Sequence, residues 1–121
     1  MSFLRRLFGG EKSDEVTAAP PDERQAVSVL LRVSDPELSN EREQLALYAL
    51  EDRLMRALDE SGAGTHETNE LERGFLRVQL LGPDADRVLE VVRPLLVDAP
   101  AGSYLAVRRG PEGTSEERLE L

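Results

Sequence analysis

The sequence predicts an α+β fold in which two helices cover one face of an antiparallel sheet. In residues 27–33 and 76–80, every second side chain is apolar. This period of two is typical of a strand with one buried face. Residues 40–62 and 84–96 carry apolar groups at helical spacing. Turn residues separate these segments, so strands and helices follow one another along the chain.

The first strand and first helix have clear boundaries in the sequence. The strand alternates at Val27, Val29, Leu31 and Val33, and stops at Asp35-Pro36. Asn40 and Glu43 have the spacing of a capping box, so the first helix is expected to begin there and to end at Gly62. Its buried stripe is predicted to consist of four leucines, Leu47, Leu50, Leu54 and Leu58.

The second half of the chain predicts three more strands, one helix and a short extra strand at the C-terminal end. Residues 65–72 are polar and form a weak strand, residues 73–81 form a stronger one, and residues 103–109 form another. A helix is expected between the strands at residues 73–81 and 103–109. Asp84 is expected to cap it, and Pro94 is expected to kink or shorten it, because proline has no N–H donor. Residues 116–121 are expected to return as a short extra strand.

The resulting order, β-α-β-β-α-β, is typical of a ferredoxin-like two-layer sandwich with two helices on one face. In that topology the second strand lies at a sheet edge, where the polar residues 65–72 would protect it from pairing with other chains. The folded domain is predicted to span residues 25–121. Residues 1–24 read as an N-terminal amphipathic segment followed by a flexible linker with the pair Pro20-Pro21.

Composition restricts the chemistry of this protein. The 121 residues carry a net charge of -9, which makes binding to a phosphate backbone unfavourable. The chain contains no cysteine, which excludes disulfides, thiolate metal sites and cysteine nucleophiles and fits a reducing compartment. No apolar run is long enough to cross a bilayer, so the expected location is cytoplasmic.

No catalytic, cofactor-binding or metal-binding residue is predicted. His66 is the only histidine, and neither Glu67 nor Glu70 stands at a metal-ligand spacing from it. The sequence therefore favours a solvated surface histidine. Asp84 and Asp86 are interpreted as the acidic first turn of a helix rather than as a pair of catalytic carboxylates.

The sheet face away from the helices is the best candidate for function. Alternation places arginines and aromatic rings on it, and the predicted interaction residues are Arg32, Phe75, Arg77, Tyr104 and Arg108. The leading hypothesis is a non-enzymatic protein-interaction or regulatory domain that forms a homodimer or binds an acidic protein partner. The alternatives are a small-molecule-sensing domain with a ligand site at a subunit interface and, ranked third, an enzyme.

The N-terminus offers a second candidate surface. Apolar residues recur there at helical spacing around two arginines, in the set Phe3, Leu4, Arg5, Arg6, Leu7 and Phe8. Such a segment could dock on a partner or make weak contact with a membrane surface. The alternative is a disordered chain end.

The segment Arg73-Gly74-Phe75-Leu76-Arg77-Val78 resembles the RNA-recognition-motif family, whose third strand begins with a basic residue, a glycine and an aromatic residue. Arg77 and Leu80 replace the later aromatic residues of that motif, and Ser28 stands where the first strand would carry a stacking ring. Single-stranded RNA binding is therefore ranked below the other hypotheses.

A broader resemblance covers about the C-terminal half of the chain. The run formed by Asn69-Glu70, Gly82-Pro83-Asp84-Ala85-Asp86, Pro94-Leu95-Leu96 and Arg109-Gly110-Pro111 is similar to that of small uncharacterised bacterial proteins of ferredoxin-like fold. This resemblance implies a fold but no activity, and it assigns a role to no residue.

Overall fold

A computed structural model describes residues 24–121 of the chain. Its strands are β1 (Gln25–Arg32), β2 (Thr65–Glu72), β3 (Phe75–Gly82), β4 (Tyr104–Arg108) and β5 (Glu117–Glu120). Its α-helices are α1 (Glu41–Ser61) and α2 (Ala85–Val92), and a 3-10 helix (Arg93–Asp98) continues α2. The predicted N-terminal docking residues, from Phe3 to Phe8, lie outside the described residues.

The strands form one five-stranded sheet in the order β2-β3-β1-β4-β5, with every neighbouring pair antiparallel. The predicted α+β class and the extra C-terminal strand are therefore confirmed. The polar strand β2 lies at one edge, as its sequence indicates, and β5 forms the other edge. Within the described part of the chain, no helix is long and apolar enough to cross a membrane.

A single core lies between the sheet and the helices. The inward residues of the central strands, such as Val29 and Val78, are fully buried against Leu54 of α1 and Val92 of α2. All four leucines of the predicted α1 stripe are buried. Among residues 24–121, both helices pack on this one side of the sheet and none packs on the opposite side, which is called the helix-free face below.

Capping fixes the ends of α1. The Asn40 side chain accepts a hydrogen bond from the Glu43 amide at 2.9 Å, and the Gly62 amide donates to the Leu58 carbonyl at 2.9 Å. Gly62 adopts a φ of 70°, which glycine reaches without steric cost. The Glu43 carboxylate accepts from the amide and the hydroxyl of Ser34, so it joins the helix to the end of β1.

Proline shortens the second helix as predicted. Asp84 caps α2 by accepting from the Asp86 amide at 3.0 Å. The α-helix stops at Val92, and Pro94 lies at the start of the 3-10 helix, where its missing N–H breaks no internal hydrogen bond. The segment nevertheless stays against the core through Leu96.

The boundary of β3 differs from the prediction. The sequence favoured a strand from Arg73, whereas β3 begins at Phe75. Arg73 and Gly74 both have positive φ angles, 48° and 87°, and join β2 to β3 as a two-residue turn. Positive φ at both positions is typical of the type I′ turn, whose twist matches that of the strands on either side.

Asp35 provides a pH-dependent contact in the loop between β1 and α1. Its pKa is lowered from the ordinary value of 3.8, mainly by the Ser39 hydroxyl that donates to it and then by the Glu37 amide. A lowered pKa in the folded state means that this stabilisation is complete above the unfolded pKa and is lost as the pH falls through the folded pKa. We expect Asp35→Asn to be less stable than the wild type at neutral pH, with a difference that closes as the pH falls through the lowered pKa of Asp35 in the folded state.

Urea denaturation of the wild type, Asp35→Asn and Ser39→Ala across this pH range checks the prediction. Removing the main donor in Ser39→Ala should reproduce part of the same pH-dependent difference. A stability difference that stays constant from neutral to acid pH would show that the charge of Asp35 contributes nothing.

Candidate functional site

Two aromatic rings and two arginines form a continuous patch on the helix-free face. The rings of Phe75 on β3 and Tyr104 on β4 pack edge to face, with 5.3 Å between centroids and 78° between planes. The Arg32 guanidinium lies 5.2 Å from the Phe75 centroid, and the Arg118 guanidinium lies 3.8 Å from the Tyr104 centroid. These four residues, Arg32, Phe75, Tyr104 and Arg118, are called the aromatic–arginine patch.

Strand register explains why this patch assembles. Arg32 is opposite Phe75 in the β1–β3 pair, and Tyr104 is opposite Leu30 in the β1–β4 pair. Both rings therefore stand on the same side of the sheet, on the two strands that flank β1, and their registers differ by two residues. Edge-to-face rings and guanidinium groups above ring faces are both attractive arrangements.

Arg118 was not among the interaction residues predicted from the sequence. It lies on β5 opposite Ala106, which puts it diagonally beside Tyr104 on the same face. The alternation of Arg118 with Leu119 was the only local signal. The register of β5 against β4, which brings Arg118 to the ring, depends on a long-range pairing that the pattern does not specify.

Arg77 and Arg108, the other two predicted interaction residues, are held by contacts within the protein. Arg77 contacts the carboxylates of Glu72 at 3.5 Å and Glu116 at 3.0 Å. Arg108 donates to the carbonyls of Gly110 and Arg24, both at 2.9 Å. Both arginines lie on the predicted face, but their guanidinium groups bind other residues of this protein and do not belong to the aromatic–arginine patch.

The Arg77–Glu116 ion pair spans the helix-free face. Arg77 belongs to β3 and Glu116 precedes β5, so the contact passes over the two strands between them, β1 and β4. Four residues of those strands are buried on this face, Ala26, Ser28, Leu30 and Ala106. The middle of the face is therefore covered, and the aromatic–arginine patch lies at the end where β1 finishes.

Charge is unevenly distributed across the patch end of the sheet. Acidic residues occupy the edges, with Glu70 and Glu72 on β2 and Glu120 on β5, the last paired with Arg118 at 2.5 Å. The rings and Arg32 occupy the strands between these edges. On a chain of net charge -9, this leaves an aromatic and cationic centre between two acidic borders.

A buried polar cluster on the other side of the sheet was not predicted. Glu51 of α1 is only 6% exposed, and its carboxylate accepts from Asn69 Nδ2 at 2.8 Å and contacts His66 Nε2 at 2.7 Å. The His66 side chain is 19% exposed, so the interpretation of a solvated surface histidine was wrong. Alternation alone could not place His66, because a bulge between His66 and Thr68 shifts the register of β2 against β3.

The His66 ring borders a cleft of about 330 Å³ between α1 and the start of β2. Its lining includes the acids Asp52 and Asp59, and Arg56, which is paired with Asp52 at 3.0 Å. A carboxylate that accepts from one ring nitrogen orients the imidazole and leaves its other nitrogen for a second partner. Residues 24–121 contain no group of three or more histidine, aspartate or glutamate side chains able to hold a metal ion.

Comparison with family models, with curated proteins and with solved structures found no match to this chain. The resemblances to the RNA-recognition motif and to small bacterial proteins therefore remain predictions from the sequence.

Proposed function

We propose that this chain is a non-enzymatic protein-interaction domain whose aromatic–arginine patch binds an acidic segment of a partner protein. The observation that carries the proposal is the stacking of Arg32, Phe75, Tyr104 and Arg118 at one end of the helix-free face. Aromatic residues and arginine are the types most enriched in protein interfaces and in their energetic hot spots.

The two rings supply the apolar part of the proposed interface. Phe75 and Tyr104 are both partly exposed, so a partner could remove more of their surface from water. Full burial of a large apolar side chain contributes about 1.5–3 kcal/mol. Because the rings already pack against each other and against guanidinium groups, little side-chain freedom remains to be lost on binding.

The charge pattern favours an acidic segment over a second copy of the chain. Two copies packed face to face by a two-fold axis would bring their arginine-rich centres together, and like charges would repel. A narrow segment with carboxylates could instead lie along β3, β1 and β4, between the acidic edges. Arg32 stacks on Phe75 and enters no ion pair within residues 24–121, so its N–H donors stay available for such carboxylates, whereas Arg118 is already paired with Glu120.

Selection from a random peptide library on the full chain tests this proposal. We expect the selected peptides to combine acidic residues with at least one apolar residue, and to lose at least tenfold in affinity for Phe75→Glu. Tyr48→Glu is the matched control, because Tyr48 is 45% exposed on α1, in the other layer. That variant should bind the peptides as the wild type does.

Two results would contradict the proposal. Selected peptides without acidic residues, or with equal affinity for wild type and Phe75→Glu, would assign binding to another surface. Sedimentation that shows a dimer dissociated by Phe75→Glu would make a second copy the occupant of the patch.

RNA binding ranks below this proposal for a local reason. Arg77, a candidate for a phosphate contact, is already paired with Glu72 and Glu116, and Ser28, at the position where the first strand of that motif would carry a stacking ring, is fully buried. A cytoplasmic location is part of the same proposal.

A further inference from the structure

A polar cavity lies at the other end of the helix-free face from the aromatic–arginine patch. Its volume is about 350 Å³, and its lining includes two arginines and two glutamates, Arg24, Arg108, Glu67 and Glu112. Gln79 and Leu81 of β3 contribute to its wall. A cavity of this size is near the lower end of the range of about 300–1,000 Å³ that small-molecule sites occupy.

Irregular backbone brings the charges of this cavity together. Glu67 is the extra residue of the bulge in β2, where His66 pairs with Leu80 and Thr68 pairs with Gln79. Glu112 belongs to the loop between β4 and β5. Arg108 fixes the surroundings, since it donates to the carbonyl of Gly110 in that loop and to the carbonyl of Arg24 before β1.

The opposite charges around the cavity do not neutralise one another directly. Among the ion pairs within residues 24–121, none joins either lining arginine to either lining glutamate. The lining thus presents two cations and two anions separately. A ligand with one positive and one negative group could contact both kinds of charge, whereas a simple anion would be repelled by the glutamates and a simple cation by the arginines.

Two buried polar atoms at this end of the face lack partners. Considering residues 24–121, Arg24 Nε and Ser28 Oγ have no hydrogen-bond partner. Ser28 is fully buried and lies opposite Gln79, on the same face as the cavity. Buried donors are normally satisfied, so the unpaired Arg24 Nε and Ser28 Oγ mark polar capacity at this end of the face that the described residues do not use.

We propose that this cavity binds a free α-amino acid. Its carboxylate would accept from the guanidinium groups of Arg24 and Arg108, and its ammonium would donate to Glu67 and Glu112. The neutral sum of the four lining charges matches the neutral sum of the ligand. The proposal rests on the cavity alone and is independent of partner binding at the patch.

NMR titration of the full, isotope-labelled chain tests the site with three kinds of probe. The first is each of the twenty standard amino acids at about 10 mM, enough to reveal a dissociation constant in the millimolar range. The other two are the N-acetyl and the amide derivative of any amino acid that binds, which lack the ammonium and the carboxylate respectively. We expect at least one amino acid to shift the amides of Glu67, Gln79 and Arg108, and both derivatives to bind at least tenfold more weakly.

Charge-neutral variants separate this site from nonspecific binding. Arg24→Gln and Glu112→Gln should each weaken binding at least tenfold, while Glu90→Gln, an exposed acid on α2, should leave it unchanged. Unchanged amide shifts in the core would show that each variant is folded. The proposal is overturned if no amino acid shifts these amides, if either derivative binds as tightly as the amino acid, or if both cavity variants bind like the wild type.

Discussion

Replacing Leu54 with alanine is expected to lower the free energy of unfolding by about 2–5 kcal/mol, the usual cost of truncating a leucine in a packed core. Leu54 is fully buried at the centre of the α1 stripe, among the inward residues of the sheet. The stability falls for two reasons. The truncated side chain buries less apolar surface on folding, and it leaves a cavity that the close-packed neighbours fill only in part.

Urea denaturation measures this effect, with Leu45→Ala as the control on the same helix. Leu45 is 66% exposed, so its truncation should change stability by less than about 0.5 kcal/mol, as is usual for surface sites. Equal effects at the two positions would mean that α1 does not present Leu54 to the core.

His66→Ala is expected to destabilise the protein by about 1–3 kcal/mol, the usual cost of leaving a buried hydrogen-bonding group without its partner. The substitution removes the 2.7 Å contact to the Glu51 carboxylate and leaves only Asn69 to solvate it. Thr65→Ala is the control, because Thr65 is an exposed neighbour on the same strand.

A double variant separates charge burial from packing. Replacing both Glu51 and His66 by leucine removes the hydrogen-bonded contact without leaving a buried polar group unpaired, so much of the lost stability should return. If His66→Ala is as stable as Thr65→Ala, or the double variant is less stable than His66→Ala, the contact between Glu51 and His66 does not secure β2 against α1.

The fold was predictable wherever the hydrophobic periodicity of a segment and the capping or turn residues at its ends indicate the same element. Alternation along β1, the leucine stripe of α1 and the caps at Asn40 and Asp84 each reflect short-range geometry that a sequence displays directly. The start of β3 was misplaced because Arg73 reads as a strand residue by its neighbours, whereas the chain needs a two-residue turn there.

The candidate site was only partly predictable, for a physical reason. Phe75 and Tyr104 could be placed on one face from their strand positions, since alternation fixes the side on which each ring stands. Arg118, the Glu116 contact across the sheet and the Glu51–His66 pair all join distant parts of the chain. They depend on the register of β5 and on the bulge in β2, neither of which a local pattern determines.

A charge swap at the patch tests the central claim most directly. An acidic peptide selected on the wild type, and the same peptide with lysine in place of each acid, would be titrated into wild type, Arg32→Glu and Arg42→Glu. Arg42 is an exposed arginine on α1 and serves as the control. Wild type and Arg42→Glu should prefer the acidic peptide, and Arg32→Glu should lose or reverse that preference. The same preference in all three proteins would contradict the proposed function, because the aromatic–arginine patch would then not be the surface that binds the acidic residues of the partner.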